Sequence, residues 1–318
     1  MTKVIRVARG IGSLFGETFA SWSEDNAFRL SAALAYYAVF SMAPLLIIAI
    51  AIAGWVFGAK AAQGQVISEI QGLIGQSGAE TVQTLIRNAS TANSKLASGL
   101  GLLSLIFGAT GVFVSLQDGL NTVWQVKPKP RNMVVGFVRQ RLHTFTLVLG
   151  TGFMLLISLV VSAAIEGAGK YLSDLDGIAR LWQMGNFLVS LAIISLLFAM
   201  IFRFLPDVNI GWGDVGLGAF VTALLFTLGK FGIGLYIGKS SLTSVYGAAG
   251  SLVLILAWVY YSSLILFLGA EFTRAYATRY GSRITPSSNA VPLTPTDRAQ
   301  QGMEPHVSTP TVRRSGAA

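Results

Sequence analysis

Long apolar runs separated by shorter polar segments dominate the chain. Six of these runs are long enough to reach the roughly 20 residues that an α-helix needs to cross a bilayer. They predict membrane-spanning helices at residues 30–58, 96–116, 142–165, 181–204, 215–237 and 250–272. The predicted fold class is therefore all-α, a polytopic membrane protein whose six-helix transmembrane domain covers residues 30–273.

Amphipathic patterns flank the first predicted span. Within residues 1–29, apolar residues recur at helical spacing from Ile11 to Trp22 and follow three basic residues. This pattern predicts a cytoplasmic helix that either lies on the inner leaflet or packs against the bundle. In the first external loop, residues 59–95, two groups of apolar residues at 66–74 and 82–86 predict two short amphipathic helices.

The charge distribution predicts the orientation. Positive residues are retained on the cytoplasmic side of a membrane, and placing both termini there puts most of the 23 Lys and Arg residues inside. Residues 274–318 then form a cytoplasmic tail. After about residue 284 this tail is rich in Pro, Ser, Thr and Gly and has few large apolar residues, which predicts disorder.

The last predicted span carries more polar groups than a lipid-facing helix tolerates. Its sequence from 256 to 271 is LAWVYYSSLILFLGAE. At 100° per residue, Tyr260, Glu271 and Arg274 share one face, with Ser263 at its edge, whereas Trp258 lies elsewhere. Because lipid offers no hydrogen-bond partners, we expect this helix to lie inside the bundle.

Two other spans contain candidate polar positions. In the first span, Tyr37, Ser41 and Pro44 lie on one face, and Pro44 releases a backbone carbonyl, which favours either a hinge or a static kink with interhelical hydrogen bonds. The fifth span is rich in small residues, which predicts tight helix packing. Its Lys230 either extends to the interface or acts as a functional cation inside the bundle.

Charged residues gather at the predicted cytoplasmic ends of the spans. Asp118 follows the second span, Arg203 and Asp207 flank the end of the fourth, and Glu271 and Arg274 end the sixth. Opposite charges at one depth could form an ion-pair cluster that closes the inner end. The alternative is that each side chain simply lies in the headgroup zone.

Four motifs carry a resemblance to a known family. They are DNAFRLSAALAYYAVFSMAPLL at 25–46, LQDGLNTVW at 116–124, FRFLPDV at 202–208 and SVYGAAGSLVLILAWVYYSSLILFLGAEFTRAYA at 244–277. Together, over about residues 25–280, they resemble the YihY/virulence factor BrkB family of inner-membrane proteins. The resemblance implies a six-helix protein of the bacterial cytoplasmic membrane.

The resemblance also implies where to look for function. Members carry an old ribonuclease BN label that is widely regarded as a misassignment, and some are linked to serum resistance or to lipid and envelope export. The positions that the resemblance singles out, none of them an established catalytic residue, are Tyr37, Ser41, Pro44, Asp118, Asn121, Arg203, Pro206, Tyr246, Gly247, Trp258, Tyr260, Tyr261, Gly269 and Glu271.

The residues favour a transporter or flippase-like protein over an enzyme. The chain has no Cys and only two His residues, His143 and His306, so it offers no thiolate nucleophile and no His cluster for acid–base or metal-assisted cleavage of RNA. A phosphate-binding P-loop is absent, so ATP-driven movement would need a partner. A structural or regulatory scaffold in the membrane is the alternative function.

The sequence accordingly predicts no catalytic residue, no cofactor and no metal site. The expected partners are membrane lipids and envelope-biogenesis proteins rather than nucleic acid, and the oligomeric state stays open. The residues that we expect inside the bundle or at a gate are Tyr37, Ser41, Pro44, Asp118, Arg203, Lys230, Trp258, Tyr260, Ser263, Glu271 and Arg274.

Overall fold

The computed structural model describes residues 2–90, 111–129, 178–239, 250–281 and 284–303. The helices in these ranges are α1 (Thr2–Glu24), α2 (Ala27–Phe57), α3 (Ala59–Ser90), α4 (111–123), α5 (Ile178–Phe204), α6 (Trp212–Lys239), α7 (Gly250–Tyr280) and α8 (Pro295–Gln300). The strands are β1 (Val126–Pro128), β2 (Val208–Asn209), β3 (Thr285–Pro286) and β4 (Ala290–Pro292). The predicted third span, and the predicted second span before residue 111, lie outside the described residues.

Three helices contain segments that are long and apolar enough to cross a membrane. Among the described residues these segments are Met184–Phe204 in α5, Trp212–Lys230 in α6 and Leu252–Tyr280 in α7, which match the predicted fourth, fifth and sixth spans. α7 contacts α1, α2, α3 and α6. Buried residues make up 39% of its most apolar stretch, against 22% in α5 and 28% in α6, so α7 is the most enclosed of the three, as its polar residues predicted.

The N-terminal amphipathic helix has one face on the bundle and one face exposed. Leu14 is buried in a cluster with Phe272 of α7, whereas Phe15 and Phe19 are exposed. The short connection to α2 contains Asn26 in the left-handed conformation, at φ 54°. Asn tolerates that conformation better than most residues, which permits the sharp change of direction between the two helices.

The first predicted loop contains one continuous helix, not the two short helices that the sequence predicted. Two glycines between its two apolar groups, Gly75 and Gly78, lower the helix propensity. Contacts of α3 with α2 and α7 offset this weakness along its length. Val82 and Ile86 are buried against Leu254, Ile255 and Trp258 of α7.

α6 and α7 cross closely through a reciprocal pair of Gly-x-x-x-Thr segments. The side chain of Thr222 lies where a Cβ on Gly269 would lie, and the side chain of Thr273 occupies the same place over Gly218. Each Thr hydroxyl donates to the carbonyl of the Gly four residues earlier in its own helix, at 2.7 and 2.6 Å. The two helices are therefore antiparallel and packed at glycine distance, as the small residues predicted.

Residues 284–303 fold back over one end of the bundle, and we call them the strap. β3 pairs antiparallel with β2, and β4 pairs antiparallel with β1. α8 begins with a capping box in which Thr294 and Asp297 exchange hydrogen bonds, with Pro295 in the first turn. This part of the tail is thus ordered, in contrast to the predicted disorder, because strand pairing and capping satisfy its backbone groups.

Candidate functional site

A pocket of about 560 Å³ lies between α2 and α4 at the end of the bundle covered by the strap. On α2 it is lined by residues 30, 33 and 37, and on α4 by residues 111, 114, 115, 118, 119, 121 and 122. These spacings place one face of each helix toward the pocket. β1 and Gln301 of the strap complete the described lining, so the pocket has both apolar and polar walls.

Asp118 is the charged side chain that α4 contributes to the pocket. Its carboxylate is exposed to the pocket and makes no hydrogen bond or ion pair with any residue that the structure describes. The surrounding protein nevertheless removes much of its hydration. This desolvation, together with the negative charge of Asp207, raises the pKa of Asp118 from 3.8 to about 6.

A pair of hydrogen bonds fixes the neighbouring wall of the pocket. The side-chain amide of Asn121 donates to Asp207 Oδ2 at 2.9 Å, and its oxygen accepts from the backbone N–H of Asp207 at 2.8 Å. Gln117 Nε2 lies 3.4 Å from the same carboxylate oxygen. Asp207 follows α5, so these contacts attach α4 to the α5–α6 connection and hold the Asp207 charge near Asp118.

A buried ion pair lies beneath the strap. Arg298 Nη2 of α8 is 2.8 Å from Asp25 Oδ1 in the α1–α2 connection, and both side chains are at most 3% exposed. Gln125 bridges the pair: it donates to Asp25 Oδ2 at 2.9 Å and accepts from Arg298 Nη1 at 2.6 Å. The backbone of Gln125 adopts the left-handed conformation, with a φ of 57°, shortly after the end of α4.

A second pair on α7 adjoins the first. Glu271 is fully buried and accepts two hydrogen bonds from Arg274, at 3.1 Å from Nε and 2.9 Å from Nη2. Asp25 is in contact with the Glu271 carboxyl group. We call Asp25, Gln125, Glu271, Arg274 and Arg298 the charge cluster; its two acids and two arginines balance in formal charge.

The predicted ion-pair cluster is therefore present in part. Glu271 and Arg274 pair as their i, i+3 spacing allows. Arg203 instead lies over the ring of Trp212, 5.8 Å from its centroid, and no ion pair among the described residues joins it to Glu271. Asp118 lies at the pocket.

Comparison with known proteins identifies the family. A family model described as Virulence factor BrkB matches residues 18–294, a range that contains all four motifs but ends before Arg298 of the charge cluster and Gln301 of the pocket. The chain belongs to the BrkB family. It is an integral membrane protein, and no solved structure matches it.

Curated relatives of this BrkB-family chain are named UPF0761 membrane proteins. One from Tolumonas auensis is 30% identical over 194 residues, 59% of each chain. One from Rhodospirillum centenum is 26% identical over 82% of this chain and 56% of its own length. One from Teredinibacter turnerae is 27% identical over 86% of this chain and 63% of its own length. The chain thus spans 56 to 63% of the length of these relatives.

The first-span candidates of the BrkB chain lie at or beside the pocket. Tyr37 lines it. Ser41 is buried, and a Cβ on Gly111 of α4 would lie 3.5 Å from Tyr37 and 3.6 Å from Ser41. Pro44 lies within the continuous helix α2, and its side chain is outside what the structure describes.

The sixth-span and fifth-span candidates lie elsewhere. Trp258 is buried against Phe226 of α6, with ring centroids 5.7 Å apart. The hydroxyl of Ser263 donates to the carbonyl of Val259 in its own helix at 2.7 Å. Tyr260 is partly buried and Lys230 is exposed. None of these four side chains belongs to the described lining of the pocket.

Sequence reasoning missed three members of the charge cluster, namely Asp25, Gln125 and Arg298. One signal pointed to Arg298: the segment TPTD at 294–297 has the Thr, Pro and Asp pattern of a helix start. A short helix there makes a packed strap more plausible than a disordered tail. No comparable local signal marks Asp25 or Gln125, because their roles depend on contacts across the fold.

Proposed function

We propose that this BrkB-family protein moves a lipid or lipid-linked envelope precursor across the bacterial inner membrane, without enzymatic chemistry. The proposed topology has six membrane-spanning helices and cytoplasmic termini. The distribution of Lys and Arg supports it, and it assigns the strap, the pocket and the charge cluster to the cytoplasmic side.

The pocket is the observation that carries the proposal. A lipid has a polar headgroup and apolar chains, so a protein that moves it needs a polar chamber that adjoins an apolar path. The pocket joins carboxylate, amide and phenol groups to apolar side chains such as Leu30 and Val114, at the ends of two apolar helices. Sites that bind small organic ligands commonly have volumes of about 300 to 1,000 Å³.

An exposed aromatic face formed by α1 and the first turn of α2 supports the same proposal. Phe15 and Phe19 of α1 and Phe28 of α2 are exposed at the strap end, and Trp22 lies between Phe19 and Phe28 in edge-on ring contacts of 6.2 and 4.6 Å. Aromatic side chains favour the headgroup boundary of a bilayer. We propose that this face rests on the inner leaflet next to the pocket.

A vesicle assay tests the proposal. Purified protein is reconstituted into vesicles that carry fluorescent lipid analogues, and transfer between leaflets is followed by chemical quenching of the outer leaflet. The Asp118→Asn variant keeps the shape of the side chain but removes its charge, so we expect transfer to fall several-fold. Glu80→Gln on the exposed surface of α3 is the matched control and should leave transfer unchanged.

The charge cluster favours a second candidate function, a membrane scaffold. Its ion pairs, the hydrogen bonds of Gln125 and the contact of Asp25 with Glu271 connect the α1–α2 connection, the end of α4, α7 and α8. This arrangement suits a rigid platform for envelope-biogenesis partners. Two results together would favour the scaffold over the transporter. The wild-type protein would transfer no lipid in vesicles, and the wild type and Asp118→Asn would restore envelope integrity to a deletion strain equally well.

A further inference from the structure

Among the residues that the structure describes, the unpaired charge in the pocket is negative. Asp118 has no partner among the described residues, and Asp207 adds a second negative charge nearby. Lys127 also lines the pocket, but its ammonium is 2.6 Å from the carboxylate of Asp297, which neutralises it. A cationic group would therefore gain more from this pocket than an anionic group.

The size of the pocket favours an organic cation over a metal ion. A water molecule occupies about 30 Å³ in the liquid. The pocket has about 560 Å³, and its walls include Tyr37, Ser115 and apolar side chains of α2 and α4. A bare ion needs several oxygen ligands at close range, whereas a protonated amine needs one carboxylate and a few hydrogen-bond acceptors.

An exposed aromatic strip leads away from the pocket along α2. Tyr37 lines the pocket, and the ring of Tyr36 lies 5.6 Å from it. The ring of Phe40 lies 4.8 Å from Tyr36, and Tyr36 and Phe40 are 57% and 66% exposed. In a membrane helix, exposed rings of this kind contact acyl chains, so the strip connects a charged pocket with an apolar surface.

We propose that the pocket binds the protonated primary amine of a lipid headgroup at the Asp118 carboxylate, with the acyl chains along Tyr36 and Phe40. This inference rests on the proposed function and names its substrate class. The carboxylate supplies the charge, and the apolar strip selects an amine that is attached to a lipid over a free amine in solution.

Binding of short-chain lipids to the purified full-length protein in detergent tests the inference. The probes are dihexanoyl phosphatidylethanolamine, dihexanoyl phosphatidylglycerol and free ethanolamine, with bound ligand counted by native mass spectrometry. We expect the amine lipid to bind about tenfold more tightly than the glycerol lipid, since one charge-assisted hydrogen bond accounts for that ratio. Asp118→Asn should remove the preference, Asp118→Glu should keep most of it, and Glu80→Gln should match the wild type.

Each other outcome overturns a stated part of the inference. An equal preference in Asp118→Asn and the wild type, or no headgroup preference in the wild type, would remove the amine site. Ethanolamine that binds as tightly as the amine lipid would show that the ligand is a soluble amine. Binding is measured without vesicles, so amine-selective binding combined with no transfer would retain this site and reject the proposed transport.

The same assay has a pH dependence of known sign. The pKa of Asp118 is raised to about 6, so its carboxylate is charged at pH 7.5 and mostly neutral at pH 5. The groups around it are Asp207 after α5, Lys127 on β1 and Tyr37 on α2. We expect the headgroup preference to fall as pH drops through about 6 in the wild type and to stay flat in Asp118→Asn; a preference that rises at low pH would contradict the site.

Discussion

Within two turns, α7 makes contacts of opposite chemistry on two faces. Gly269 and Thr273 pack against α6: the side chain of Thr222 lies over Gly269, and that of Thr273 lies over Gly218. The hydroxyls of Thr222 and Thr273 each donate to a carbonyl of their own helix. Glu271, two residues from either of them, is rotated by about 200° around the helix. It is fully buried and contacts Arg274 and Asp25.

The two contacts hold different parts of the molecule together. The glycine contact joins one helix pair, and in lipid such close packing replaces the hydrophobic driving force that water would supply. The charge cluster joins four elements that are distant in sequence, including the strap. Because buried ions lose hydration, such a cluster adds little net stability, but it penalises any arrangement that leaves one member unpaired.

The largest effect that we expect comes from removing one arginine of the cluster. Arg298→Met leaves Asp25 buried beside Glu271 without its cation. Breaking a buried ion pair in this way typically costs about 3 to 5 kcal/mol. We expect a clear fall in the unfolding temperature of the purified protein and faster proteolysis within the strap.

Two further variants show whether charge is responsible. Arg279→Met removes an exposed arginine that donates to Ser13 at 2.7 Å, and it should change stability little. Asp25→Asn combined with Arg298→Met removes both charges and should recover part of the loss. If Arg298→Met behaved like Arg279→Met, the buried ion pair would contribute little to holding the strap on the bundle.

A smaller effect is expected at the glycine contact. In Gly269→Ala the new methyl group would overlap the side chain of Thr222, so α6 and α7 must separate. Overpacking of a close contact typically costs about 1 to 3 kcal/mol. The same stability measurement applies, with Gly216→Ala as the control because a Cβ there meets nothing within 4 Å.

A compensating variant tests the steric explanation. Thr222→Gly combined with Gly269→Ala moves the side chain from one helix to the other and should be more stable than Gly269→Ala alone. Losses that simply add in the double variant would mean that the two positions do not compete for the same space.

The sequence predicted that α6 packs closely, but not the partner residues of the glycine contact, and it missed most of the charge cluster. Small residues four positions apart on an apolar helix indicate close packing without knowledge of the partner. The Glu271–Arg274 pair also follows from spacing within one helix. Gln125, in contrast, hydrogen-bonds to Asp25, which is 100 residues away in sequence, and to Arg298, which is 173 residues away. The strands β1 to β4 are only two or three residues long and carry no periodic pattern in the sequence.

For the candidate site, too, the sequence predicted individual residues but not their arrangement. Tyr37 and Asp118 stood out individually, but the pocket that they share depends on the approach of α2 to α4, which no local pattern encodes. Ser263 was expected to lie inside the bundle or at a gate. Its hydroxyl is satisfied four residues earlier in its own helix, which is a common solution for Ser in an apolar segment.

The smallest effect on stability is expected for the surface ion pair between Lys127 and Asp297 of the strap, in contrast to the large effect expected for buried Arg298. Lys127, the Thr294 hydroxyl and the Thr294 N–H all bond to Asp297 and lower its pKa to about 2. The stabilising contribution of the Asp297 carboxylate is therefore complete above its ordinary pKa of 3.8 and lost as pH falls through about 2.

At pH 7 we expect Lys127→Met to speed amide hydrogen exchange in α8 by only about two- to threefold. Asp297→Asn also weakens the capping box and should have the larger effect of the two. An increase in Lys127→Met as large as that in Arg298→Met would place the main attachment of the strap at its surface instead of at the buried cluster.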